Sequence, residues 1–226
     1  QGPMSIGCLA TFAQFVVPKV RRAFEEAYPE VRIRQFEMNQ TEIFSHIRRA
    51  GLDIALTYDL DIPADLDFVP LVDLPPYVLT SAEHPLAGQA ELTVEQLRDH
   101  DMVLLDLPMS GAYFLSFFTA LGIKPKIAER TRDMAVMRSL VANGYGYSIA
   151  NVRPLTDLSP DGEKLCFIPL TGALRPMRMG LVMARGADST STVKAFIAHC
   201  REKITKGSVP GIHTDNAPQT VSHKDD

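Results

Sequence analysis

The chain has 226 residues, 46% of them hydrophobic and 22% charged, so it can bury a sizeable core and is far from the composition of a disordered chain. Its 27 acidic residues against 23 basic ones give a formal charge of −4, which excludes the broad basic field that non-specific DNA binding requires. No apolar run reaches the roughly 18 residues of a membrane span, and Cys8, Cys166 and Cys200 fit neither a disulfide framework nor a zinc pattern, which suits a reducing cytoplasm.

At the start, Gln1-Gly2-Pro3 ahead of Met4 reads as the scar of a cleaved tag, cut from something longer, with no signal peptide. Ser5 to Ala10 is a short apolar strand. The pattern Phe12, Phe15, Val16, Val20, Phe24, Tyr28 that follows is helical, with Pro18 in the first turn of the main helix and Tyr28-Pro29 closing it. Val31 to Glu37 is a second strand. Asn39-Gln40-Thr41-Glu42 has the spacing of a capping box and opens a helix with Ile43, Phe44 and Ile47 inward, closed by Gly51. Leu52 to Thr57 is a third strand. Strands and helices that alternate across short connections predict parallel pairing with right-handed crossovers, an α/β lobe.

The middle repeats this grammar. Phe68 to Ser81 is extended and crosses the stiff pair Pro75-Pro76, and Thr93 to Gln96 caps a short helix. Met102 to Asp106 is a buried strand. Ser110 starts a helix carrying Phe114, Phe117, Phe118 and Leu121, stopped by Gly122. Lys126 to Thr131 is a strand, and Asp133 caps a helix with Met134, Met137, Leu140 and Val141 inward, ended by Asn143-Gly144. Tyr147 to Asn151, Leu165 to Leu170 and Met177 to Ala184 are further strands. A last helix, about Thr190 to Thr205, aligns Val193, Phe196, Ile197, Cys200 and Ile204. Residues 206–226 are polar, carry Pro210 and Pro218 and read as a tail without a core of its own.

No constellation for catalysis emerges. His46, His84, His100, His199, His213 and His223 include no pair at the i, i+4 spacing of metal ligands and read as surface or tail positions. A nucleophile elbow is missing. Gly144-Tyr145-Gly146-Tyr147-Ser148 lacks the third glycine of a dinucleotide fingerprint and stands between helix and strand, in the wrong order, so it is a helix end and turn. Arg21-Arg22 and Arg48-Arg49 read as solvated helix faces. No cofactor, metal or catalytic residue is expected.

What remains is a binding architecture. In α/β lobes, ligands sit at the carboxyl ends of parallel strands, where helix N-termini offer free N–H groups to an anion. The corresponding loops carry Thr11 and Phe12, then Asn39, Gln40 and Thr41, then Tyr58; in the second lobe they carry Pro108 and Ser110, then Arg132 as a carboxylate partner. Such a lining suits a small carboxylate or polar aromatic acid.

The segments SIGCLA, PKVRRAFEEAYPEVRIRQFEMN, IRRAGLDIALTYD, LTSAEHPLAG and MRSLVANGYGYSIAN, with the closing strand and helix from Met177 to Thr205, resemble in order and spacing the regulatory domain of LysR-type transcriptional regulators. The resemblance covers residues 4–205 and implies an effector-binding domain: α/β, two Rossmann-like subdomains joined by two crossover strands, as in type 2 periplasmic binding proteins. The implied subdomains are residues 4–75 plus 178–205, and 76–177. Family effector positions correspond to Thr11, Asn39 to Thr41, and Met134 to Val136, with Tyr147 added from the neighbouring turn; Met134 to Val136 offers no hydroxyl where several relatives have threonine.

The resemblance further implies a small-molecule effector held in the cleft between the subdomains, and a homodimer through this domain, tetrameric in the full-length protein. It implies contact with DNA only through an N-terminal winged helix-turn-helix absent from this chain, and none with membrane. Redox-sensing members use a close cysteine pair in the second lobe, where this chain has Cys166 alone. A solute-binding protein of a transport system is the alternative on the same fold, and an enzyme would need an acid–base pair that the sequence does not offer.

Overall fold

A computed structural model describes residues 3–214. The first strand, β1 (Met4–Cys8), lies slightly earlier than the expected Ser5–Ala10, because Ala10 already opens a helix. Pro18 divides the helical run that follows into α1 (Ala10–Phe15) and α2 (Val17–Ala27), and stands in the first turn of α2, where its missing N–H costs nothing. Next come β2 (Ile33–Glu37), α3 (Gln40–Arg48), β3 (Ile54–Tyr58) and β4 (Leu66–Leu74). The proline pair cuts the long extended run in two, so β5 (Tyr77–Ser81) is a separate strand.

Beyond it lie β6 (Leu92–Thr93), one 3-10 turn at Glu95–Leu97, β7 (Asp101–Leu105) and α4 (Ser110–Thr119). They are followed by β8 (Lys126–Thr131), α5 (Met134–Ala142), β9 (Ser148–Ala150), β10 (Arg153–Pro154) and β11 (Leu165–Thr171). The chain closes with β12 (Met177–Ala184), α6 (Ser191–Lys203) and β13 (Ile212–His213).

These elements form two compact units. One is the chain up to Leu74 together with Pro176–Thr214; the other is Pro75–Arg175. In the first, the sheet order is β2-β1-β3-β12-β4, with β1 parallel to β2 and β3, and β12 antiparallel to β3 and β4. All five residues of β3 are buried, as expected of a strand paired on both edges and covered on both faces. The β12–β4 register shifts at Met179/Gly180, where a side chain would stand 2.4 Å from the Phe68 ring and the Val69 carbonyl; only glycine permits that approach.

Helices α2 and α6 pack through Phe24, whose ring meets Phe196 edge-on at 5.2 Å. His199, expected at the surface, is only 8% exposed: its Nε2 lies 3.0 Å from the Val20 carbonyl and its ring lies against Phe24. The polar tail expected from residue 206 is packed as far as Ile212, since Val209 and Ile212 are buried and Gly211 abuts the Phe15 carbonyl too closely for any Cβ. The remainder of that tail, with His223, lies outside the described residues.

In the second unit a four-stranded sheet runs β6-β11-β5-β9, and β7 pairs with β8 in parallel. Phe114, Phe117 and Phe118 of α4 are buried, but the helix ends at Thr119, short of the expected Leu121, which lies 48% exposed in the turn before Gly122 (φ +67°). In α5, Met134, Met137 and Val141 are buried and Leu140 only half so. Gly146 is required where it stands: its φ is +149°, and a Cβ there would lie 2.4 Å from the Asp101 carbonyl.

Candidate functional site

In the first unit, the loops at the carboxyl ends of β1, β2 and β3 bring several predicted residues together. Thr11 and Phe12 are buried in α1, and the Phe12 ring meets Tyr58 edge-on at 5.0 Å. Asn39 caps α3 reciprocally with Glu42: Glu42 N–H donates to Asn39 Oδ1 (2.9 Å) and Asn39 N–H donates to Glu42 Oε1 (3.1 Å). Gln40 is 1% exposed and donates from Nε2 to the carbonyls of Tyr58 (3.0 Å) and Leu60 (2.7 Å). Two carbonyl partners orient the amide unambiguously, and its Oε1 is buried with no hydrogen-bond partner. Thr41, by contrast, is exposed.

Asp59 and Arg178 were not singled out from sequence, yet they lock the end of β3. Arg178 Nε donates to Asp59 Oδ2 at 2.9 Å, and Asp59 N–H donates to the Arg178 carbonyl at 2.8 Å. They are 119 positions apart, so no local signal could have joined them.

In the second unit the predicted residues divide. Ser110 and Met134 are buried, Pro108 is half-buried, and Arg132 and Val136 are exposed. Tyr147 is fully buried; its hydroxyl has no partner, and burial pushes its pKa up. Asp106, missed from sequence, accepts from Arg130 at 3.1 Å and lies directly over Gly111, where a Cβ would stand 2.5 Å from Asp106 Oδ1.

At the helix N-termini, the chain's own oxygens take part of the first-turn N–H groups. Asp133 Oδ1 accepts from Ala135 (2.8 Å) and Val136 (3.1 Å) at the head of α5, and Asn39 and Glu42 close α3. At α4, the N–H groups of Ser110 and Gly111 donate to the carbonyls of Pro108 (2.8 Å) and Leu107 (2.9 Å). That closure turns on Met109, with φ +68° and ψ −44°, the strained γ-turn geometry.

Activated nucleophiles are missing among the described residues. Burial pushes the thiols of Cys8 and Cys200 up to about 12, Glu37 adding to the effect on Cys8, and burial also raises Cys166. No group of three or more metal-ligating side chains occurs among the described residues. No described helix is long and apolar enough to cross a membrane.

Residues 1–205 match the model of the LysR substrate binding domain. Among curated proteins, the chain is 27% identical over 214 residues to the HTH-type transcriptional regulator CysB of Haemophilus influenzae, covering 92% of this chain and 64% of that protein. It is 24% identical over 204 residues to the Hca operon transcriptional activator HcaR of Escherichia coli, covering 89% and 68%. The chain thus spans about two thirds of the length of these relatives. Among solved structures, HinK, a LysR family transcriptional regulator from Pseudomonas aeruginosa, superposes with a TM-score of 0.85 at 30% identity, over 91% of this chain and 71% of that one. With the two α/β units and their strand-end loops in place, the match over residues 1–205 makes this chain a member of the LysR substrate-binding domain family, on the type 2 periplasmic-binding-protein-like fold.

Proposed function

We propose that this chain is the effector sensor of a longer transcription factor, and that a small molecule binds at its strand-end loops. The observation that carries the reading is the family match over residues 1–205. Supporting it, Phe12, Gln40 and Tyr58 gather at the strand ends of the first unit, around a buried acceptor without a partner. Thr11, Asn39 and Thr41 border that group, and Pro108, Ser110, Arg132, Met134, Val136 and Tyr147 are the counterparts proposed in the second unit. The two units are the regulatory subdomains. Contact with DNA belongs to a winged helix-turn-helix outside these residues, and the domain pairs with a second copy of itself, working in the cytoplasm.

A thermal-shift screen of small organic compounds on the purified chain tests the sensor function. A ligand at a hundredfold excess over its Kd should add about 2.7 kcal/mol of stability. A screen of broad chemistry in which no compound raises Tm would overturn the reading. Light scattering tests the pairing: a dimer at micromolar concentration is expected, and a strict monomer at high concentration would refute it.

A further inference from the structure

Two histidines of the second unit, neither of them in the loops proposed for the effector, meet at the neck of the segment that joins β5 to β7. His84 lies in the turn after β5 and His100 directly precedes β7. Their ring centroids are 5.1 Å apart, tilted by 49°, and both side chains are half-buried. Between them the chain runs out through β6 and the 3-10 turn at Glu95–Leu97 and returns, so the ring pair closes that excursion at its base.

The hydrogen bonding of His84 fixes where its proton sits. A backbone amide can only donate, and Leu86 N–H donates to His84 Nδ1 at 3.1 Å. Nδ1 is therefore the bare nitrogen, and the neutral ring carries its proton on Nε2. Protonation has one place to go, Nδ1, where the new N–H would point at the Leu86 N–H and the bond is lost. A second charge on His100 would repel the first across 5.1 Å. No counter-ion offsets it: among the described residues neither ring forms an ion pair, and the charge that acts on His84 is that of His100. The acids next to the two rings in the chain are Glu83, Asp99 and Asp101, and Glu83 acts on Cys166 of β11.

The turn that this bond closes has little else to hold it. His84 N–H donates to the Ser81 carbonyl at 3.3 Å, Ala87 N–H to His84 at 2.9 Å and Gln89 N–H to Leu86 at 3.2 Å, while Gly88 to Glu91 are exposed. Beyond Glu91 the chain is anchored, since Leu92, Val94 and Leu97 are fully buried and β6 pairs with β11. Upstream, all five residues of β5 are buried. Whatever the turn does, its two ends stay fixed.

We infer that His84 and His100 form a proton-operated clasp: the bare Nδ1 of His84 pins Leu86 at neutral pH, and protonation of His84 releases residues 82–91 while β5, β6 and the rest of the unit stay folded. The clasp is independent of the sensor reading and stands or falls without it.

The test follows ring nitrogens and backbone amides of the nitrogen-15-labelled chain by NMR from neutral to mildly acid pH. His84 should begin as the Nε2–H tautomer. The Leu86 amide should shift in step with His84, and its exchange protection should fall about tenfold for each pH unit below the His84 midpoint, the slope of one linked proton. Thr93 and Leu97, whose amides are bonded to Gln96 and Val94, should keep their protection. His100→Asn removes the facing charge and should move the His84 midpoint and the Leu86 transition upward together. A Leu86 amide that ignores the protonation of His84 overturns the clasp, and so does protection lost at Thr93 and Leu97 along with Leu86, which is unfolding of the unit rather than release of a turn. A His84 midpoint unmoved in a folded His100→Asn overturns the role of the pair. The titration of the parent chain decides the first two outcomes without any variant.

Discussion

Helices α3 and α4 occupy equivalent places, each just beyond the carboxyl end of a parallel strand, yet they begin in opposite ways. Helix α3 starts on a reciprocal box, Asn39 with Glu42, whose every atom comes from four consecutive residues. Helix α4 starts at Met109 in a left-handed conformation with no side-chain cap, and relies on buried Phe114, Phe117 and Phe118. A helix nucleated by its own sequence leaves its first residue, Gln40, free of the cap, so that its side chain bonds the carbonyls of Tyr58 and Leu60 instead. One held by packing presents a strained turn whose geometry the rest of its unit imposes.

The comparison is broken most sharply at Phe118, which is fully buried. Phe118→Ala should cost roughly 3–5 kcal/mol in chemical denaturation; a loss as small as that of a cap would show that α4 is not held by its aromatic face. Met109→Gly should act in the other direction. It relieves the positive φ and should raise stability by roughly 1–2 kcal/mol, whereas an unchanged midpoint would mean that the γ-turn stores no strain.

On the α3 side, Asn39→Ala removes half of the box and should cost about 1 kcal/mol, with the loss in amide-exchange protection concentrated at Glu42. The smallest effect belongs to a second locally bonded segment, the turn after β5. There Leu86 N–H donates to His84 Nδ1, and burial, followed by the neighbouring His100 ring, holds the His84 pKa below its ordinary value. The neutral imidazole is the form that the fold favours. Its contribution is complete above the unfolded pKa of about 6.5, and drains away as the pH falls through the lower folded value. Denaturation midpoints followed from neutral to mildly acid pH should therefore fall less in His84→Gln than in the parent; identical pH profiles would remove His84 from the account.

The sequence was legible wherever a signal was local. Pro18, the Asn39 box, the Asp133 cap and the Asn143-Gly144 stop all lie within a turn of the structure they determine, and the structure realises each of them. His199 was misread because its partner, the Val20 carbonyl, is 179 positions away. Asp59 and Arg178, and Asp106 over Gly111, escaped for the same kind of reason: a charged residue looks solvated until the fold supplies its partner.

The balance of charge and length, together with the order of strands, helices and turns, belongs to the sequence by itself: an α/β chain, acidic overall, built in two lobes with loops at its strand ends. Hydrophobic period and capping chemistry act over a few residues, and that range suffices for such a description. Only the tertiary structure decided what those loops are free to offer. Whether a helix start is open or closed, and whether an amide oxygen is satisfied or orphaned, depends on which atoms arrive from elsewhere in the chain. Hydrogen bonds saturate one donor with one acceptor, and that pairing exists only once the chain has folded.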